Sequence, residues 1–408
     1  MKTSKFLLLI ILFSATACRQ NTASAPLSDK GNYTYSASGS RLLITMHIPI
    51  GSKNAKMIFD TGGLGLLLDS NSASELFNMK KLERKTKNLE SSVFFPALSR
   101  DLYGKTYFQP VDIPFYGGVL HYDWFMICEG LKDEFEYDGI FSIPQNDLHT
   151  WNFDFENLSI TIDDTDLCSG NHESEFSCKV DRCGEKLYMI DFPISFSGAT
   201  DSISIKQRLL FDTGCSSALV FNCDEDELNE ERRFIDNNAL LRYKTHIDDN
   251  LSLIYSPGYV NDTLLVTLKQ KSLNSASIPH IIGRNLLAKF NISIDLKNEK
   301  AYFKRNNVSN MWEYFNEHSS LEREALVLIP DKGRKTAIVT SVGRESPAYK
   351  AGVRQYDVIE QFDGGSFVSY NSKYAMMRQR GEGDIFTFDI DRFGEKVHIS
   401  FFWPFVEE

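Results

Sequence analysis

The stretch Met57-Ile58-Phe59-Asp60-Thr61-Gly62 has a counterpart 152 residues further on, Leu209-Leu210-Phe211-Asp212-Thr213-Gly214. In both, an apolar run suited to a buried strand ends on Asp-Thr-Gly. One such tripeptide would arise by chance in roughly one chain in ten of this length. Two, each closing a strand-like run, call for a common cause. Asp and Gly are turn residues, so two unrelated turns are the plainer alternative. Neighbouring segments that repeat in the same order weigh against it.

Upstream of each motif stands a short strand with a proline, Ile48-Pro49-Ile50 and Phe192-Pro193-Ile194. Downstream comes an apolar run, Leu64 to Leu68 and Ala218 to Phe221, then a helix-compatible segment, Ser74 to Met79 and Glu225 to Phe234. Further on, Asp138-Gly139-Ile140-Phe141 answers to Ile281-Ile282-Gly283-Arg284 at an offset of 144, and the hairpins around Asp154 and Asp295 match at 141. Order is kept while loop lengths vary, as a duplicated fold would have it.

These residues resemble the aspartic peptidases of the pepsin and retropepsin type, whose lobes each carry Asp-Thr-Gly followed by an apolar-apolar-Gly strand. His280-Ile281-Ile282-Gly283-Arg284-Asn285-Leu286-Leu287 is similar to the retropepsin form, and Asp138-Gly139-Ile140-Phe141 to the pepsin form. The resemblance covers about residues 40 to 305 and implies a mainly β, bilobal fold with both lobes in one chain. It implies Asp60 and Asp212 as the catalytic pair, supported by Thr61, Gly62, Thr213 and Gly214, with the two threonines hydrogen-bonding across a pseudo-dyad. A flap is expected between residues 88 and 110, with Tyr103-Gly104 at its tip.

The chemistry is self-consistent. Two carboxylates about 3 Å apart cannot both ionise readily, so the pair holds one proton. One can then act as base on a bound water while the other protonates the scissile carbonyl oxygen. Such hydrolysis of a polypeptide substrate needs no metal and no cofactor, and a single chain would be active as a monomer.

Of the 408 residues 42% are hydrophobic and 24% charged, and the net charge is −11. An acidic chain without a basic stripe argues against nucleic acid as a partner. Residues 1 to 18 read as a leader: Lys2 and Lys5, an apolar run from Phe6 to Phe13, then Ala15-Thr16-Ala17 before Cys18. Eight apolar residues are too few to cross a hydrocarbon core of about 30 Å. Small residues before a cysteine resemble a bacterial lipoprotein processing site. That makes Cys18 a lipid anchor and places the protein, exported, on a periplasmic or outer-membrane face. A plain signal peptide is the alternative. Residues 19 to 37 read as a polar tether, 38 to 166 as the first lobe, 167 to 186 as an inter-lobe linker and 187 to 305 as the second lobe.

Six further cysteines, at 128, 168, 178, 183, 215 and 223, permit three disulfides, with a staple expected among Cys168, Cys178 and Cys183. Cys215, without a nearby histidine, reads as a small buried residue beside Gly214 rather than a nucleophile. The histidines fall singly, with no metal-ligand spacing. After a linking segment at 306 to 324, residues 325 to 406 resemble a PDZ domain of the bacterial protease-associated kind. Ile338-Val339-Thr340-Ser341-Val342, Ser346-Pro347-Ala348, Ala351-Gly352-Val353 and Asp357-Val358-Ile359 carry that likeness. Tyr356 departs from it, standing where the family has Gly, and no glycine-rich carboxylate loop precedes Leu326. The domain would be α+β and would bind a peptide or protein ligand.

The leading reading is thus a membrane-anchored aspartic endopeptidase. A catalytically silent peptide-binding scaffold of the same fold, and two sites completed by dimerisation, are the competing ones.

Overall fold

The computed structural model describes residues 31–38, 41–50, 53–63, 65–95, 100–132, 136–163, 174, 176–184, 186–192, 194–197, 202–205, 208–215, 217–223, 241–247, 250–255, 264–270, 279–307, 326–331, 336–343, 346–366, 385–392 and 394–402. The leader with Cys18, the segment Glu225 to Phe234 and most of the linking segment 306 to 324 lie outside them. Among the described residues the chain is mainly β with four short helices, and no helix is long and apolar enough to cross a membrane.

Both Asp-Thr-Gly loops sit at the end of a parallel strand pair. In the first half Lys53–Phe59 runs parallel to Gly139–Phe141, which is antiparallel to Leu66–Asp69 on its other side. A strand from much later in the chain therefore slots between the two that flank Asp60. In the second half Leu209–Asp212 runs parallel to His280–Gly283, itself antiparallel to Leu219–Cys223. Strands covered on both faces read as unbroken apolar runs, which is why Met57 to Phe59 and Leu209 to Phe211 are all buried.

The duplication extends outward strand by strand. Leu66–Asp69 is parallel to Phe125–Cys128, which pairs with Arg100–Tyr107, the second arm of a hairpin begun by Asn88–Phe95. Leu219–Cys223 is parallel to Leu264–Gln270, which pairs with Asn250–Tyr255, the second arm of a hairpin begun by Leu241–Ile247. An additional hairpin, Val111–Phe115 with Gly118–Tyr122, belongs to the first half.

The halves are joined by a shared sheet. Thr150–Asp154 pairs antiparallel with Phe290–Asp295, and their hairpin partners Ser159–Asp163 and Lys300–Arg305 flank them. Gly31–Ser38 and Phe176–Cys183 add one strand on each side. Asn152 lies opposite Ser293, its own counterpart at offset 141, so the pseudo-twofold axis passes between them. Ser293 Oγ donates to Asn152 Oδ1 at 2.7 Å there.

Above this floor an aromatic stack carries both strands that end on Asp-Thr-Gly. Phe59 stacks on Trp151 at 5.7 Å and lies 6.0 Å from Phe153, which meets Phe211 edge-on at 5.4 Å. Such contacts contribute roughly 0.5–1.5 kcal/mol each beyond their buried area. They fix the residue before each Asp against a common base.

Two boundaries differ from the sequence reading. Gly31–Ser38, expected inside the tether, pairs with both Arg41–Ile50 and Ser159–Asp163. Phe176–Cys183, expected inside the linker, is a sheet strand paired with Lys186–Ile190. Their polar composition misled because Gly31 to Tyr35 and the middle of Phe176–Cys183 bury only alternate residues. The expected staple is also not made by Cys178 or Cys183, which are both thiols, as are Cys128 and Cys215. Cys178 and Cys183 are five residues apart on one extended strand, roughly 17 Å, far beyond the ~7 Å that a disulfide tolerates. Burial, with Asp191 nearby, pushes the Cys178 thiol up to about 12.

Arg182 ties the halves at the rim by donating to the carbonyls of Pro144, Gln145 and Asp147. Asp147 is buried and accepts from the His149 ring and from Trp151 Nε1. Burial alone would raise its carboxyl, but those donors hold it below the ordinary carboxylate value. A depressed folded pKa gives stability that is present above about pH 4 and is lost as pH falls through the folded value. Asp147→Ala is expected to destabilise the protein by about 2–3 kcal/mol at pH 7, by stranding two buried donors. The mutant's deficit should shrink below pH 4 in denaturant titrations. A deficit independent of pH would show that the charge is not what stabilises.

Residues 326–402 build a separate sheet and core. Leu326–Asp331, Thr336–Val342, Val358–Phe362, Ile385–Arg392 and Glu395–Phe402 follow one another in hydrogen-bonding order, and Gly365–Ser366 pairs with Val358–Phe362. Their core includes Val339, Ala348, Val353, Ile359, Phe386 and Phe388. Ser346 caps the helix Pro347–Lys350 by accepting from Tyr349 N at 3.1 Å. Tyr356 has φ +68°, a left-handed backbone that favours glycine. Buried Asp357 compensates by accepting from Arg354 N and both Arg392 Nε and NH2, each at 2.7 Å.

Candidate active site

The two Asp-Thr-Gly loops meet at the top of the parallel strand pairs. Thr61 N donates to Thr213 Oγ1 at 3.1 Å and Thr213 N donates to Thr61 Oγ1 at 2.9 Å. Thr61 Oγ1 in turn donates to Phe211 O at 2.8 Å. Both threonines are buried. Each hydroxyl thus satisfies a backbone amide of the opposite half, and neither loop is complete without the other.

The glycines show how closely the loops approach. A Cβ on Gly62 would lie 2.4 Å from Asp212 Cγ, and one on Gly214 would lie 2.6 Å from Asp60 Oδ1. Each glycine abuts the carboxylate of the other half. The carboxyl groups themselves are thereby close neighbours, each acting on the other. Gly62 N donates to Asp60 Oδ1 at 2.9 Å, while Gly214 N and Cys215 N donate to Asp212 Oδ1 at 2.8 and 3.0 Å.

Electrostatics follow from this crowding. Asp60 is nearly buried, and desolvation, then the neighbouring Asp212, push its carboxyl up to about 8. Desolvation also raises Asp212, opposed by the amides of Cys215 and Gly214. The two carboxyls are close enough to titrate as a pair rather than singly. Such an arrangement can take a proton from a bound water and give one to an acceptor in the same step.

Asp60, Thr61, Gly62, Asp212, Thr213 and Gly214 are thus all brought together, and Cys18 lies outside the described residues. Cys215 is a half-buried thiol whose amide, not its sulfur, serves the site. The expected flap tip moves. Tyr103 and Gly104 lie inside the strand Arg100–Tyr107, where Gly104 faces Ser91 on one side and Cys128 on the other. A Cβ there would meet Ile127 O at 1.9 Å, so the glycine answers to a close strand crossing, not to a turn. Residues 96–99, between the two strands of that hairpin, lie outside the described residues.

The apolar-Gly strands also align differently from the sequence reading. Phe141 pairs with Phe59 and Ile282 with Phe211, so the counterpart of Gly283 is Ser142, not Gly139. Ser142 N donates to Gly65 O and Gly283 N to Ala218 O, both at 2.9 Å. The offset becomes 141, the same as in the shared sheet. Gly139 answers to another contact, since a Cβ there would lie 2.5 Å from Leu67 O.

Arg284 is the residue that sequence reasoning passed over. It is 1% exposed, its NH1 donates to Thr213 O at 3.3 Å and its guanidinium faces the Tyr35 ring at 5.5 Å. A lone arginine inside the apolar run Ile281 to Leu287 was the available signal.

No family model matches the chain, and no curated protein matches it.

Proposed function

We propose that this protein is an aspartic endopeptidase that hydrolyses peptide bonds with water held between Asp60 and Asp212. The observation that carries the reading is the reciprocal packing of each motif glycine on the opposite carboxylate, with the threonines crossed beneath. A pair of unrelated turns has no reason to converge in this way, and a silent scaffold has no use for two carboxylates crowded at the cost of their desolvation. On this reading the lobes have the pepsin and retropepsin architecture, the site is complete within one chain, and residues 325 to 406 form a PDZ domain. A lipid anchor at Cys18 would hold the enzyme at a bacterial membrane surface after export. The substrate is a polypeptide, since nothing about the dyad restricts the side chains flanking the scissile bond.

The direct test is incubation of the purified protein with a complex peptide mixture from pH 3 to 8, with and without a statine-type inhibitor. Cleavage that the inhibitor blocks supports the reading, and its absence at every pH would end it. The profile should be a bell. Its alkaline limb reflects loss of the shared proton near the raised Asp60 value of about 8. Its acid limb reflects protonation of Asp212, also above the ordinary carboxylate value. The optimum is expected at about pH 5–7. A maximum below about pH 3.5, as pepsin-like values would give, would contradict it. Cys215→Ser, which offers Asp212 a hydroxyl donor, should move the acid limb downward.

Residues 325 to 406 are assigned to binding rather than chemistry. Removing them should leave cleavage of short peptides within about twofold and weaken only cleavage of folded protein substrates, an avidity effect. Loss of short-peptide cleavage by a folded truncation product would place them in the site.

A further inference from the structure

The site is built on a twofold plan, yet its charges are not symmetric. Arg284 follows Gly283, and the corresponding residue of the first half, after Ser142, is the buried Ile143. Beneath the Asp212 loop therefore lies a buried cation, and beneath the Asp60 loop a hydrocarbon. Arg284 is fixed in place, since its amide donates to Cys215 O at 2.8 Å and NH1 donates to Thr213 O at 3.3 Å. Both carbonyls belong to the loop that carries Asp212. The loop amides, by contrast, are nearly symmetric, so the difference between the halves rests on Arg284. Cys215 N and its counterpart Gly63 N each donate to the backbone carbonyl of their own Asp, at 3.3 and 3.2 Å, and each also lowers its own carboxyl.

We propose that Arg284 polarises the dyad, making Asp212 the carboxylate that takes the proton from water and Asp60 the acid that protonates the substrate carbonyl. This rests on the peptidase reading above. In the first step the water oxygen bonds to the carbonyl carbon and the water proton passes to Asp212. The carbonyl π pair moves to oxygen, which takes the proton of Asp60. The tetrahedral diol then collapses, the C–N bond breaks, and the proton gained by Asp212 leaves with the amine. The hydroxyl proton returns to Asp60, so the resting state is restored with no other reactant.

Tyr35, Cys215, Asp212 and Tyr33 are among the groups that act electrostatically on the Arg284 guanidinium. Of these only Asp212 is a carboxylate, so the cation's field in the working pH range falls on it. Arg284 among the neighbours favours the charged form of Asp212, whereas the leading charged neighbour of Asp60 is Asp212, which disfavours its charged form. Arg284 is a positioning residue: it acts through the carboxylate and touches no substrate.

The test is the titration of each carboxyl alone, read by carbon-13 NMR of aspartate-labelled protein. Asp212 in the Asp60→Asn variant should titrate about one unit or more below Asp60 in the Asp212→Asn variant, the size expected of a nearby guanidinium. Adding Arg284→Gln should raise the Asp212 midpoint by about one unit and leave Asp60 within a few tenths, whereas Arg284→Lys should keep it low. Equal midpoints, the reverse order, or a shift of both carboxyls alike would overturn the assignment. If Arg284→Gln does not fold, the comparison of the two single carboxyls decides by itself. Because the titration requires no turnover, a wild type that cuts no peptide would end the peptidase reading while leaving this polarity measurable.

Discussion

Asp60→Asn and Asp212→Asn are each expected to lower peptide cleavage by at least about 10³-fold, in line with removal of a general acid or base from a concerted pair. Each variant keeps the shape of the site, since Asn can still accept from the amides of Gly62, or of Gly214 and Cys215. What is lost is the proton inventory: one group remains where the reaction needs both. The fold should not suffer. A carboxyl raised by burial gives stability that is fully present below the unfolded value and is lost as pH rises toward the folded one, about 8 for Asp60. At pH 7 Asp60→Asn removes that penalty, so its Tm should match or exceed the wild type. Inactivity with an unchanged or higher Tm assigns the loss to chemistry. Activity within tenfold of wild type in either variant would exclude the shared dyad.

Much of this was legible in the sequence, and the physical reasons are specific. Met57 to Phe59 and Leu209 to Phe211 announced strands buried on both faces, because only such strands dispense with polar alternation. The closing hairpins around Asp154 and Asp295 carried the true offset of 141 because the pairing of Asn152 with Ser293 leaves no room for a slip. The apolar-Gly strands deceived for the opposite reason. Gly139 is demanded by a contact with Leu67, and the residue that does take the place of Gly283 is a serine, so matching glycine to glycine moved the alignment by three. Strands such as Phe176–Cys183 were hidden because alternate burial in a charged segment resembles a linker. Gly104 misled because a close strand crossing and a turn ask for the same residue. Arg284 was invisible because an isolated arginine has no periodicity; its significance appears only when Thr213, Tyr35 and Asp212 are brought around it.

Gly62→Ala and Gly214→Ala should be nearly as damaging as loss of a carboxylate, and they probe the convergence of the two halves rather than the chemistry. The new methyl of Gly214→Ala would stand 2.6 Å from Asp60 Oδ1 and 2.7 Å from its Cγ, and that of Gly62→Ala 2.4 Å from Asp212 Cγ. Neither carboxyl is the loose end of a flexible side chain, since each is held by amides of its own loop. Relief must come from parting the loops, which are clamped by the crossed bonds of Thr61 and Thr213. Displacement of the reacting groups by about 1 Å costs about 10²-fold in rate, and the same strain should lower stability by about 1–3 kcal/mol, as overpacking does elsewhere. The two effects part in a revealing way. Gly63→Ala, one residue on, would come no nearer than 3.1 Å to the Asp60 backbone oxygen and 3.5 Å to its Cγ, so it should keep activity within about tenfold. If Gly214→Ala were as active as Gly63→Ala, the loops would not meet as described, because no rearrangement short of separating the carboxyl groups makes room for that methyl.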